Sequence, residues 1–370
     1  MAKENIISKL VYGFFKKNLS IPENQKLEIG IPKNILIIRQ HNQLGDLLAG
    51  VSIFRAIKET FPLSKTTLIV SPENYFGIVK NKLIDRYFVF DKRKLYNPFY
   101  LKKFIKLLRE DYDLVVVPVT VSISFTSNLL ARFANAKIRI GPKSLDGVEN
   151  KSAFLFDRRV SLDWRHAPDS NVADRIVDIV RPFGINTNNF TSEISFDKED
   201  IGVAENFVEG LNRQPYDLLV GIHPGAGKIP NRWSLLKFVD LIKKLNENFD
   251  IKFYLTGSNA DNEEINYITQ NIPCKIGLYL NKKIPEVAAL ISISDLFITN
   301  DTGIMHVAGA TGTPQISIFG PTNPYNWAPS GSNKIFIRKS ELIDEISIDE
   351  VYELCVSFLT QKDRSTQNAK

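Results

Sequence analysis

The feature that most constrains this chain is a repeated alternation. Short apolar runs are each followed by a polar turn rich in Gly, Asn or Asp, and then by an amphipathic helical stretch. The first half reads as strands at 35–38, 67–70, 86–90, 114–118 and 137–140, separated by helices near 47–60, 74–80, 98–110 and 127–134. The second half repeats the pattern with strands at 218–222, 252–256, 296–298 and 315–319 and helices at 234–246, 262–270, 284–292 and 304–310. Fully apolar strands alternating with helices require a parallel sheet covered on both faces. The expected fold class is therefore α/β, two Rossmann-like halves whose parallel sheets face each other across a cleft. At 370 residues the chain has the length of two domains of common size. The expected division is a 1–33 amphipathic segment, a first domain at 34–185, a linker region at 186–217, a second domain at 218–345 and a helix with tail at 346–370. Residues 141–165 read as a long irregular loop over the cleft, and 166–183 as a helix closing the first domain.

Parallel α/β sheets bind ligands where strand carboxyl ends meet helix amino ends, so the turns there are the candidate sites. In 295–327, DLFITNDTGIMHVAGATGTPQISIFGPTNPYNW, the strand breaks at Asp301-Thr302-Gly303 before a small-residue helix. Free N–H groups at that helix start suit a phosphate or pyrophosphate; the alternative is plain capping by Asp301 and Thr302. The loop after the first strand of the second half, HPGAGKIPNRW, holds His223, Gly225, Lys228 and Arg232, turn formers and cations ahead of a helix. It reads either as a second anion site or as an ordinary loop with surface cations. Glu263 and Glu264 sit near the start of another helix, favouring its dipole, and one of them can instead reach a ribose hydroxyl. In the first half, Gly45 and Asp46 occupy a strand-to-helix turn, where Asp46 is either a cap or a catalytic carboxylate.

The formal charge of +6 and pI near 9.0 favour an acidic partner. Residues 3–19 form a basic amphipathic helix, suited either to an anionic membrane interface or to packing on the domain behind it. Lys92, Arg93, Lys94, Lys102, Lys103 and Lys106 form a second basic run, read as a solvated helix face or as a holder of an anionic substrate. No apolar run approaches the roughly 20 residues that span a bilayer, and no signal-peptide pattern opens the chain. Two cysteines, Cys274 and Cys355, make no disulfide framework, and no Cys/His cluster points to a metal. A reducing, cytoplasmic setting is expected. Dispersed cations without a recognised module argue against nucleic acid, and the lack of GxGxxG after the first strand argues against a dinucleotide-dependent dehydrogenase.

Four segments in order, ILIIRQHNQLGDLLAGVSIFRAIKETFP (35–62), VGIHPGAGKIPNRWSLLKFVDLIKKL (220–245), FYLTGSNADNEE (253–264) and ITNDTGIMHVAGATGTPQISIFGPTNPYNW (298–327), resemble the heptosyltransferases of glycosyltransferase family 9. NLLARFANAKIRIGP (128–142) is similar to that family's first domain. The resemblance implies a GT-B fold, with an acceptor domain first and a nucleotide-sugar domain second. It also implies inverting transfer of heptose from ADP-heptose to a lipopolysaccharide inner core or related lipid-linked anionic glycan, at the cytoplasmic face of the inner membrane, without a bound metal or other cofactor. By the same resemblance Asp46 is the general base, Asp301, Thr302 and Gly303 hold the donor diphosphate, and His306 supports that loop or touches ligand. Gly45, His223, Gly225, Lys228, Arg232 and Glu263 complete the expected donor-binding set. One departure stands out: the family's usual lysine two residues before Trp233 is here Asn231, leaving Lys228 or Arg232 to balance the diphosphate. That departure keeps open another nucleotide sugar as donor, or a binding protein that has lost turnover.

Overall fold

The computed structural model describes residues 6–40 and 43–367, with side chains described from 12 to 360 within them. The chain divides into two compact units, one made of the residues up to 75 together with 81–190, the other of 76–80 with 191 onward.

In the first unit, β1 (Asn34–Arg39), β2 (Lys65–Val70), β3 (Arg86–Val89), β4 (Tyr112–Val116) and β5 (Ala136–Leu145) pair in the order β3-β2-β1-β4-β5, all parallel. Ile35 to Ile38 are fully buried because helices cover both faces of β1. The core on one face gathers Leu36, Ile38, Ile69, Phe104, Val115 and Leu130. The helical stretch after β1 is two helices, Leu44–Ala49 and Val51–Thr60, divided at Gly50. A Cβ at Gly50 would lie 2.5 Å from Ile176 Cδ1, so the break gives room for close packing of the 172–183 segment.

Residues 141–165 are not the irregular loop expected. β5 continues to Leu145, turns at Asp146-Gly147 and returns as β6 (Val148–Glu149), while β7 (Arg158–Leu162) pairs parallel with β5. Asp146 and Gly147 both have positive φ, 48° and 80°, the backbone that an Asp-Gly hairpin turn adopts. The helix expected over 166–183 is one turn, Val172–Arg175, followed by 3₁₀ turns Ile176–Ile179 and Arg181–Phe183; Pro182 lacks the N–H that a continuous helix needs.

The amphipathic segment forms helix Ile6–Leu19. Residues 1–5 and the side chains before Tyr12, on which much of the interfacial reading fell, lie outside the described residues. Tyr12 and Phe15 rest against Phe125, ring centroids 5.1 and 5.8 Å away, and Arg132 Nε donates to the Leu19 carbonyl at 2.8 Å. This part of the helix is packed on its own unit, with Phe14 exposed. Among the described residues no helix is long and apolar enough to cross a membrane.

The second unit is a six-stranded, all-parallel sheet. β8 (Leu218–His223), β9 (Ile251–Gly257), β10 (Ile276–Leu280), β11 (Leu296–Asn300), β12 (Gln315–Ile318) and β13 (Lys334–Ile337) lie in the order β10-β9-β8-β11-β12-β13. The sequence reading omitted β10 and β13, the two edges. Within the stretch read as linker, Lys198–Glu209 is a helix whose N-cap Asp197 accepts from the Glu199 and Asp200 amides. Helix Ile348–Gln367 belongs to this unit too, burying Val351, Cys355 and Leu359 in its core beside Trp233 and Leu241. Trp233 has no exposed surface, and its indole N–H donates to the Ile346 carbonyl at 3.0 Å.

Gly221, mid-strand in β8, admits the Tyr254 ring: a Cβ there would lie 2.3 Å from Tyr254 Cζ and 2.6 Å from Phe297 Cδ2. Tyr254 is itself held by a 2.8 Å bond to Ser294. Gly221→Ala is expected to lower stability by about 1–3 kcal/mol, seen as a lower urea midpoint at unchanged m-value.

Candidate functional site

In each unit the strand order reverses beside the first strand, between β1 and β4 and between β8 and β11. Loops leaving neighbouring strands diverge at such a point and leave space at the carboxyl edge. Both groups of candidate residues lie there.

In the first unit, Arg39 closes β1, Asp46 lies in helix Leu44–Ala49, and Thr120 follows β4. All three are at most 5% exposed. Arg39 Nη2 donates to Thr120 Oγ1 at 2.7 Å and stands 3.6 Å from Asp46 Oδ2, while the Thr120 hydroxyl lies 3.5 Å from the same oxygen. Burial pushes the Asp46 carboxyl above its ordinary range, and Arg39 with Thr120 pulls it part of the way back. Arg39 is lowered by its own burial, against the attraction of Asp46. The result is a carboxyl of raised basicity beside a guanidinium fixed by Thr120. Gly45 is helical rather than held in a glycine-only backbone. Arg39 and Thr120 were missed by the sequence reading; Arg39 stood at a strand end, but nothing marked Thr120. Along the same edge, Gln40, Pro72, Glu73, Phe90, Asp91, Lys92 and Arg93 line a cavity of about 280 Å³ past the carboxyl ends of β1, β2 and β3.

In the second unit Asn300, last in β11, staples the loop after β8. Its Nδ2 donates to the Pro224 carbonyl at 2.7 Å and its Oδ1 accepts the Trp233 amide at 3.2 Å. His223 is buried, and Nδ1 meets the carbonyl and hydroxyl of Thr256 at 3.0 and 3.1 Å. Burial lowers its pKa, so it is a neutral part of the scaffold. Gly225 is required by Asp261, whose Oδ1 would be 2.1 Å from a Cβ.

Asn231 is buried and donates to Asp301 Oδ2 at 2.8 Å and towards Thr322 Oγ1 at 3.4 Å. Asp301 is raised by burial and restrained by Thr322 and by the field of Lys228. The Asp301 carboxylate is thus engaged with Asn231 and Thr322. Thr302 is the N-cap of helix Gly303–Gly309, yet its side chain makes no capping bond. The Met305 amide turns back to the Thr302 carbonyl at 3.1 Å, and among the described residues the Gly303 and Ile304 amides are left for another acceptor. His306, one turn on, is buried, edge-on to Trp327 at 6.2 Å, and lowered to about 4 by burial, so it carries no charge at neutral pH.

The two cations of the loop differ. Arg232 donates to the Ala226 carbonyl at 2.8 Å and forms an ion pair with the buried Glu264, which ties it to the protein. Lys228 is exposed and has no ion pair among the described residues. Glu263 is exposed in the first turn of helix Asn262–Asn271.

A family model described as glycosyltransferase family 9 (heptosyltransferase) matches residues 101–350, more than half of the chain. The chain belongs to glycosyltransferase family 9. It is similar to lipopolysaccharide heptosyltransferase 3 of Escherichia coli, 26% identical over 314 residues that cover 79% of this chain and 85% of that protein. Among solved structures, a family 9 glycosyltransferase from Veillonella parvula aligns with TM-score 0.77 at 18% identity, over 93% of this chain and 100% of that one. The ADP-heptose lipopolysaccharide heptosyltransferase II of E. coli aligns at 0.72 and 18%, over 89% and 99%. At these identities the two alignments speak to fold alone, and the fold of this family 9 protein is GT-B.

A raised folded-state pKa means that ionised Asp46 costs stability. The cost is absent below the unfolded-state pKa and grows as pH rises through the folded one. Carbon-13 titration of the Asp46 carboxyl is expected to give a midpoint above the ordinary 3.8. In Arg39→Met, which removes the attracting charge, the midpoint should move higher still.

Proposed function

We propose that this family 9 glycosyltransferase moves heptose from ADP-heptose, with inversion, to a hydroxyl of a lipopolysaccharide inner core or a related lipid-linked anionic glycan, working at the cytoplasmic face of the inner membrane. The observation that carries the reading is the buried Arg39–Thr120–Asp46 cluster at the carboxyl end of β1. In inverting transfer the acceptor oxygen attacks the anomeric carbon as the bond to the departing diphosphate breaks on the opposite face. The hydroxyl proton must leave in the same step. Asp46 is suited to take it: burial raises the basicity of its carboxylate, and Arg39 opposes that rise by favouring the charged form.

The donor half of the reading rests on the second unit. Uncapped amides at Gly303 and the adjacent Thr302 hydroxyl suit diphosphate oxygens. The charge that builds on departing ADP is met by Lys228, because Asn231 is neutral and Arg232 is held by Glu264. Asn231 keeps Asp301 in place without contributing charge. Transfer then needs no metal, and a chelator should leave the rate unchanged.

Calorimetric titration with ADP, ADP-heptose, UDP and UDP-glucose, with and without magnesium, tests the donor. The reading expects selective binding of the adenine ligands that is independent of magnesium. Preference for uridine ligands would move the protein to another nucleotide sugar, and binding of none would favour a non-catalytic role. The two cations are expected to separate in the same experiment. Lys228→Ala should weaken ADP about tenfold, roughly 1.4 kcal/mol, with the melting temperature unchanged. Arg232→Ala should lower stability by about 1–3 kcal/mol by leaving Glu264 buried without its partner, and any loss of affinity should follow from that.

A further inference from the structure

The segment 92–109, KRKLYNPFYLKKFIKLLR, contains seven cations and no acid. Its structure divides these residues sharply. Helix Pro98–Leu108 is anchored by Phe104, Leu107 and Leu108, which are buried, with Phe104 against Phe88 and Phe90 at 5.3 and 4.9 Å. The start is fixed as well: Asn97 Oδ1 accepts from the Phe99 and Tyr100 amides at 3.0 and 3.2 Å, and the Tyr100 hydroxyl donates to the Val89 carbonyl at 2.9 Å. Phe99, Lys102, Lys103 and Lys106 follow the i, i+3, i+4, i+7 spacing and form one outward stripe. Leu101 and Ile105 run beside it, more than a third exposed.

Tyr96 and Phe99 are 87% and 78% exposed. Two large rings are thus exposed to water, Phe99 in the first turn of a capped, well-anchored helix and Tyr96 in the turn before it, which the Asn97 amide closes onto the Lys94 carbonyl at 3.0 Å. Arg93 is engaged by Asp91 at 3.0 Å, whereas Lys92, Lys94, Lys102, Lys103 and Lys106 have no ion pair among the described residues. Rings at a rim with lysines around them suit a surface that is apolar beneath and anionic on top. A second copy of the same face would set lysines against lysines.

We propose that Lys92 to Leu108 forms the docking surface of this protein for an anionic lipid bilayer. Tyr96 and Phe99 enter the boundary between headgroups and acyl chains, and the five unpaired lysines lie on the headgroup phosphates. The surface is separate from the donor chemistry and stands or falls independently of it. Lys92 and Arg93 also line the cavity at the carboxyl ends of β1 to β3. If the acceptor is lipid-linked, as the proposed function has it, docking on this turn presents that cavity to the layer in which the acceptor is anchored.

The test uses the full chain and vesicles, without donor or acceptor. Wild-type protein is expected to co-sediment with mixed phosphatidylcholine–phosphatidylglycerol vesicles at least about tenfold more tightly than with phosphatidylcholine alone, and to release as salt rises. The triple variant Lys102→Glu, Lys103→Glu, Lys106→Glu and the pair Tyr96→Ser, Phe99→Ser should each weaken that binding at least about tenfold. All the substituted residues are exposed, so melting temperature and ADP affinity should match wild type and exclude misfolding. Phe99→Trp fluorescence should be quenched by brominated acyl chains. Wild-type affinity in both variants, no preference for anionic vesicles, or an unquenched Trp at 99 would overturn the proposal. So would tighter binding to a DNA duplex than to vesicles, abolished by the triple variant, which would assign the patch to nucleic acid.

Discussion

A parallel strand buried on both faces can offer its neighbours only backbone and apolar side chains, so polar chemistry is forced to its end. The organisation of this protein follows from that constraint, applied twice. β1 is flanked by β2 and β4, and β8 by β9 and β11. Beyond these central strands the chain turns from buried apolar residues to Arg39, Asp46 and Thr120 in one unit, and to His223, Asn231, Asn300 and Asp301 in the other. Each set is held by hydrogen bonds between residues far apart in sequence, such as Arg39 to Thr120 and Asn231 to Asp301.

Those bonds are costly to build. A guanidinium and a carboxylate taken out of water lose hydration that a separation of 3.6 Å only partly restores. An apolar pair would stabilise the fold at least as well, so the cluster is better explained by what a basic, desolvated carboxylate can do. The same logic separates Arg232 from Lys228. The guanidinium that bonds Ala226 and Glu264 shapes the loop, and the exposed ammonium nearby remains available to a ligand.

The sequence disclosed the frame better than the wiring. Central strands were legible because burial on both faces leaves near-continuous apolar runs, as at 35–38 and 296–298. Edge strands β10 and β13 were missed because their partly exposed faces break that run. The Asp146-Gly147 hairpin carried its own signal in the Asp-Gly pair, which was overlooked within a polar stretch. Asp46 and the Asp301 turn could be singled out as candidates from their places at strand ends and from motif order. The pairing of Asp46 with Thr120, 74 residues away, and that of Arg232 with Glu264, 32 away, were not, since such pairings exist only once the strand order is known.

The central claim is that Asp46 is a base for transfer and has no part in holding the donor. The most direct measurement is the single-turnover rate of heptose transfer by Asp46→Asn beside its affinity for ADP-heptose. A rate lower by about 10²–10⁴-fold with donor affinity within about twofold of wild type is the expected result. Transfer at the wild-type rate would contradict the account, as would a loss explained wholly by weaker donor binding.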